Sequence, residues 1–258
     1  MQNVEQIAPA NEKNFSTFEV RPGVKMPDWS VVTSELAKQA LADINKAFGI
    51  EKCFTEYDPD EDRVRIGILR FFAKHGRAPT TDELAKKLAL PKTEVFENLV
   101  RLKKKDLVVL DDATERIVGA YPLTERETEH LVEIEGQQIH AMCAIDALGT
   151  GSMFKKDIQI RSSCRATGAP ITIELTANGT EIRSVDPETA IVWSGIQLSD
   201  GCAADSLCTV LAFFSSDEEF ENWRTKEHPN TPGYRLTVNE GMQVGRAIFD
   251  PFLASTEV

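Results

Sequence analysis

The chain has 258 residues, 41% of them hydrophobic and 27% charged, which suits one large domain or two small ones and excludes a disordered chain. Its formal net charge is −12, which argues against nucleic acid as the main partner, because phosphate binding needs clustered positive charge. Met1 to Val20 has no basic-then-apolar leader and the apolar run Val210 to Phe214 is far short of the ~18 residues of a membrane span, so the expected location is the cytoplasm, away from membranes.

Residues 1 to about 30 mix polar residues with Pro9, Pro22, Gly23 and Pro27 and show no period; they read as an extended arm. Leu36, Ala40, Leu41, Ile44 and Phe48 then share one helical face, with Ser34 placed to cap it and Gly49 to stop it. Val64, Ile68, Leu69, Phe71 and Phe72 predict a second helix ending near Gly76. Thr80-Thr-Asp-Glu83 fits a capping box, and Pro91 opens a further helix carrying Val95, Leu99 and Leu102. Val108 to Leu110 and Ile117 to Tyr121 complete a hairpin. Three helices and a two-stranded wing form a winged-helix-like module over residues 61–123, behind an arm and amphipathic helix at 1–60. Such modules read DNA or serve as packing units. Thirteen Lys/Arg stand against ten Asp/Glu here, yet Glu94, Glu97 and Asp106 interrupt the third helix's basic run of Lys92, Arg101, Lys103, Lys104 and Lys105.

From Leu131 the period changes to alternation, with Gly136 supplying a turn. Further strands are expected at Ile158 to Ser163, Ile171 to Thr176, Glu181 to Val185, Ala190 to Trp193 and Thr209 to Phe214. Ser216-Asp-Glu-Glu219 caps a helix, and a last helix runs from Glu240 to Leu253. The fold class is therefore α+β: the three-helix module, then a mixed or antiparallel sheet domain with flanking helices over 124–258.

Five cysteines, at 53, 143, 164, 202 and 208, are odd in number and accompany no export signal, so reduced thiols are expected. Cys143 and Asp146 follow a strand; if a helix starts there, the spacing of three puts thiol and carboxylate on one face, and the helix N-terminus lowers the thiol pKa. A carboxylate beside a thiol takes its proton and returns it. A packing cysteine with a surface aspartate fits the same tetrapeptide. Cys208 enters an apolar strand, where a buried thiol is ordinary. Cys202 lies in a polar loop, and Cys164 braces a tight turn. Zinc sites use close Cys/His pairs, and none occurs. Neither P-loop, GxGxxG nor HExxH motifs are present, so no nucleotide cofactor is expected.

Taken together, several segments resemble the organomercurial (alkylmercury) lyases. They are Leu123-Thr-Glu-Arg-Glu-Thr128, Cys143-Ala-Ile-Asp-Ala-Leu148, Ser162-Ser-Cys-Arg-Ala-Thr-Gly-Ala-Pro170, Leu207-Cys-Thr-Val-Leu-Ala-Phe-Phe214 and Asn222-Trp-Arg-Thr-Lys-Glu-His228. The resemblance implies that residues 124–258 form the catalytic domain. Cys143 and Cys208 are then thiol ligands of the substrate mercury, and Asp146 is the proton relay and a further possible ligand. Cys164 stays structural. It implies protonolysis to R–H and Hg(II) without a cofactor, with external low-molecular-weight thiols and a mercuric reductase as partners. His140 and Met142 stand where the family often carries aromatic residues, at positions implied to flank the organic group. Two alternatives remain at this point: a metal-sensing winged-helix regulator, and a thiol protein that binds mercury or copper without cleavage.

Overall fold

The computed structural model describes residues 15–54, 56–197 and 202–254. Residues 1–14 of the expected arm lie outside them. The rest of that stretch is more ordered than expected: β1 (Phe18–Arg21) and β2 (Val24–Met26) pair as an antiparallel hairpin. Gly23 makes the tight turn at φ 75°, a left-handed value that glycine adopts without steric cost. The hairpin is held by Met26, which is fully buried, and by Arg21, which donates to the carbonyls of Pro251, Phe252 and Ala254.

The helices follow the expected signals. Ser34 caps α1 (Glu35–Phe48), accepting the Ala37 N–H, and Gly49 ends it at φ 64°. Its inner face is Ala37, Ala40, Leu41 and Ile44, whereas Leu36, expected on that face, is 38% exposed. A short turn, α2 (Ile50–Cys53), follows. Asp58 and Glu61 form a capping box for α3 (Pro59–His75), and Thr80 and Glu83 form another for α4 (Thr81–Leu88). After α5 (Lys92–Lys104) come the antiparallel strands β3 (Val108–Leu110) and β4 (Ile117–Ala120). The three helices and hairpin thus form where expected, but the hairpin is no free wing. β4 pairs with β5 (Leu123–Thr124), and the ladder continues beyond it.

Next in the chain come β6 (Leu131–Ile134), β7 (Gln137–Ala141), α6 (Ala144–Phe154), β8 (Ile158–Ser163), β9 (Pro170–Thr176), β10 (Glu181–Asp186) and β11 (Ile191–Gly195). They are followed by β12 (Leu211–Phe214), α7 (Asp217–Glu227), β13 (Gly233–Thr237) and α8 (Val238–Leu253). One sheet has eight strands in the order β10-β9-β8-β6-β7-β5-β4-β3, and a second has three, β12-β11-β13. Every pairing is antiparallel, which resolves the mixed-or-antiparallel expectation within an α+β fold. The larger sheet runs through residue 123, with β3 and β4 on one side and β6 to β10 on the other.

Helix α6 joins the layers. It touches β6, β7 and β8 of the large sheet, β11 and β12 of the small one, and lies along α8. Gly149 of α6 meets Gly245 of α8: a Cβ on Gly149 would come 2.5 Å from the Phe249 ring and 2.7 Å from the Gly245 carbonyl oxygen. The backbones therefore approach to a distance that only glycine allows, and this contact sets the depth at which the N-terminus of α6 sits.

Candidate active site

Cys143 stands between β7 and α6. The Met142 N–H donates to the Pro122 carbonyl at 3.0 Å and Ala141 to His130 at 2.9 Å, so the strand end is fixed before the helix begins. Cys143 is the N-cap residue, with extended backbone, and its sulfur accepts the Asp146 N–H at 3.4 Å. A thiol here does what serine or threonine usually does at a helix start. The spacing of three places the Asp146 carboxyl beside it.

Cys208 arrives from the other sheet. It does not enter the strand, as expected: Leu207–Val210 is a 3-10 turn and the strand starts at Leu211. Tyr121 and Asp106 hold the approach to this turn. The Tyr121 hydroxyl accepts from Ala204 N–H at 2.8 Å and donates to Asp106 at 3.2 Å, while Asp106 accepts from Ala203 N–H at 2.8 Å. Arg126 fastens Asp205 at 2.7 Å.

The Cys208 thiol donates to Asp146 at 3.8 Å. One ligand atom from each of Cys143, Asp146 and Cys208 lies within 4.8 Å of the others, and among the described residues this is the one such group of three or more His, Cys, Asp or Glu. The three are 1%, 4% and 6% exposed, so solvent does not bathe the centre. Cys164 is also buried but outside this group; its N–H donates to Ala169 and its carbonyl accepts from Gly168, which braces the turn. Cys202 is half-buried.

Beside the cluster lies an apolar cavity of about 50 Å³. Phe48, Phe54, Tyr121, Phe249 and Phe252 supply its aromatic walls, and Cys143, Asp146 and Cys208 its floor. His140 and Met142 are not among the residues that line it; the His140 Nδ1 accepts from the Thr128 N–H at 3.2 Å. Phe48 comes from α1, Phe54 from the end of the short α2 turn that the sequence did not reveal, Tyr121 from the link between β4 and β5, and Phe249 and Phe252 from α8. The one available signal was the alignment of Ile44 and Phe48 on a single face.

Burial dominates the electrostatics. It pushes the Asp146 carboxyl up to about 7, against hydrogen bonds from Cys143 and Cys208 that favour the anion. Burial likewise pushes the Cys143 thiol up to about 11, with hydrogen bonding to Cys208 opposing it and the Asp146 charge reinforcing it. This corrects the expectation of a lowered Cys143 pKa: the helix N–H does favour the thiolate, but desolvation outweighs it. The Cys208 thiol is held well above its ordinary value, first by its hydrogen bond with Cys143 and then by burial. Both sulfurs therefore keep their protons near neutrality until something removes them, and the group between them exchanges protons in that range.

Two buried thiols and a carboxyl, with ligand atoms within 4.8 Å of one another beside an apolar cavity, are a group that could hold a soft metal ion. Comparison with known proteins agrees. The alkylmercury lyase family model (MerB) matches residues 123–250. The alkylmercury lyase of Staphylococcus epidermidis is 31% identical over 181 residues, 69% of this chain and 78% of that one. That of Streptomyces lividans is 28% identical over 186 residues, 72% of this chain and 81% of the relative. A crystal structure of the mercury-bound form of MerB2 superposes with a TM-score of 0.68 at 24% identity, covering 82% of this chain and 99% of that one, and so shares the fold. The chain belongs to the alkylmercury lyase family and is an enzyme of that family.

Proposed function

We propose that this enzyme cleaves organomercurials by protonolysis, with Cys143 and Cys208 as sulfur ligands of the substrate mercury and Asp146 as the proton relay. The observation that carries this reading is the buried Cys143–Asp146–Cys208 group, whose ligand atoms lie within 4.8 Å of one another. Mercury is a soft cation that prefers thiolate sulfur. One thiolate binds R–Hg; a second raises electron density on mercury and polarises the carbon–mercury bond. The first thiol's proton leaves with the ligand that its sulfur displaces from mercury; Asp146 takes the second thiol's proton and delivers it to the departing carbon to give R–H. A carboxyl raised by burial to about 7 suits both halves of that task. The organic group lies in the apolar cavity, where no water competes for the proton. Hg(II) stays on the two sulfurs until external thiols remove it, for onward reduction by a mercuric reductase. The reaction so drawn needs no organic cofactor.

The test is to incubate purified protein with phenylmercury and excess thiol and to measure released benzene. Asp146→Asn is expected to bind phenylmercury through both sulfurs yet release benzene at roughly a hundredth of the wild-type rate or less, the usual scale for loss of a general acid. Unchanged single-turnover release in that variant removes Asp146 from the mechanism.

The regulator alternative is weakened by how the third helix spends its cations. Lys92 pairs with Asp82, Arg101 and Lys105 with the buried Glu61, and Lys103 with Asp112. No binding to random duplex DNA is expected at physiological salt. Micromolar binding that weakens steeply with added salt, the signature of counterion release, would favour the regulator.

A further inference from the structure

Cys208 is delivered by a stretch of chain outside the sheets. Its residues form two 3-10 turns, Ala203–Asp205 and Leu207–Val210, before β12 begins. A helical turn leaves its first N–H groups without partners inside the turn. Here those of Ala203 and Ala204 go to the Asp106 carboxylate and the Tyr121 hydroxyl, each at 2.8 Å, and Tyr121 donates to Asp106 at 3.2 Å. The three bonds close a ring. Further along, the Ser206 N–H donates to the Ala203 carbonyl and the Thr209 N–H to that of Ser206, both at 3.2 Å. Backbone bonds therefore connect the tethered end to the residues on either side of Cys208. Arg126 and Arg165 also reach this stretch, at Asp205 and the Thr209 carbonyl, but both contacts are exposed, where such bonds contribute little.

Asp106 stands where helix chemistry favours glycine. It follows the C-cap of α5 with φ 54°. Its N–H donates to the Lys103 carbonyl and that of Leu107 to Leu102, both at 3.0 Å. These are the two bonds of a Schellman end, whose left-handed position is usually glycine. An aspartate there carries a backbone cost that glycine avoids, and its side chain holds Ala203 and Tyr121.

We propose that Asp106 and Tyr121 are positioning residues for Cys208, fixing the turn that sets its sulfur against Asp146. The three-helix module, through the end of α5, thereby enters the cleavage reaction. The inference rests on the two-thiolate reading. Neither residue makes or breaks a bond: the Tyr121 ring walls the cavity, while its hydroxyl serves the turn. Loss of either tether loosens the second sulfur, and a misplacement of about 1 Å costs on the order of 100-fold in rate. Capture of R–Hg needs only one thiolate and should not change.

Three variants test this. Tyr121→Phe keeps the wall and removes the hydroxyl. Asp106→Gly suits the backbone and removes the carboxylate, and Asp106→Asn keeps an oxygen for the Ala203 N–H. With enzyme in excess, first-turnover benzene release from phenylmercury should slow roughly 10- to 100-fold in Tyr121→Phe and Asp106→Gly, and less in Asp106→Asn, while capture of phenylmercury keeps its wild-type strength. In competition with dithiothreitol, the first two should also hold mercuric ion about 10- to 100-fold more weakly, the scale for losing a group that supports a metal ligand. Cys164→Ser, expected to lower stability without touching the turn, should match wild type on both readouts. Wild-type release and mercury affinity in the folded Tyr121 and Asp106 variants overturn the positioning role. A loss of capture as large as the loss of cleavage also overturns it, because a damaged wall or fold would do that. Wild-type release from Cys208→Ser refutes the two-thiolate reading instead, so the two failures are distinct.

Discussion

Cys143→Ser and Cys208→Ser are each expected to lower turnover of phenylmercury by roughly three orders of magnitude or more, as expected for residues that act as a unit. Removing either sulfur leaves a one-thiolate complex, which holds R–Hg without activating the carbon bond. The double variant should therefore be scarcely worse than either single one, because neither thiol works alone. Cys164→Ser makes the contrast. That cysteine is buried at a turn outside the cluster, so its replacement should lower stability while leaving the rate per folded molecule near wild type. Measurable first-turnover benzene release from Cys208→Ser at the wild-type rate would sink the two-sulfur requirement.

Arg65→Ala is expected to cost about 3–5 kcal/mol of folding stability, the range for removing one partner from a buried ionic network. Arg65 is fully enclosed. It donates to the Tyr57 hydroxyl at 2.7 Å, to Asp62 at 3.0 Å and to the Phe252 carbonyl at 3.1 Å, and its guanidinium lies 4.6 Å from the centre of the Phe252 ring. Arg21 joins the same Asp62 from the N-terminal hairpin at 2.9 Å. One group thus ties β1, α3 and the end of α8, and two of the rings around it, Phe54 and Phe252, are walls of the cavity. Arg65→Met should cost less than Arg65→Ala, because it refills most of the buried volume that Ala leaves empty. Denaturant midpoints decide this; a loss under ~1 kcal/mol for Arg65→Ala would show that the clamp contributes little. The same network predicts acid sensitivity. Burial pushes the Asp62 carboxyl up, but Arg65 and Arg21 outweigh it and hold it below the ordinary 3.8. A depressed carboxyl stabilises the fold fully above the unfolded-state pKa and loses that contribution as pH falls through its folded value. Stability should therefore fall below about pH 4, and less steeply in Asp62→Asn.

Much of the helical part was legible because helix ends carry local chemistry. Ser34, Thr80 and Ser216 each accept an N–H from their own first turn, and such caps need no knowledge of the rest of the chain. Cys143 and Asp146 were legible for the same reason: their spacing of three means one helical face wherever a helix starts. Pairing of Cys143 with Cys208 was not readable from periodicity, since the two come from different sheets, and it rested on resemblance to the family. β13 was missed because Pro229, Pro232 and Gly233 mark its approach as loop; Tyr234 and Leu236 point inward only because β11 is there to pair with. The cavity walls escaped for a related reason. Phe48, Phe54 and Phe252 look like ordinary core residues on their own elements, and only the tertiary fold turns them towards one space. The Cys143 pKa was misjudged because the helix end is a local feature and desolvation is not.

The sulfurs of Cys143 and Cys208 hang from separate sheets, Cys143 from β7 of the eight-stranded one and Cys208 from the turn into β12 of the three-stranded one. On the two-thiolate reading, a captured mercury ion is then a temporary cross-link between these layers. It closes a loop of about 65 residues, comparable to a disulfide that removes on the order of 4 kcal/mol of freedom from the unfolded chain. Loaded protein is accordingly harder to unfold than empty protein. Whatever strips the metal must do so against the fold's own gain from holding it, so unloading is work performed on the whole scaffold rather than on two side chains.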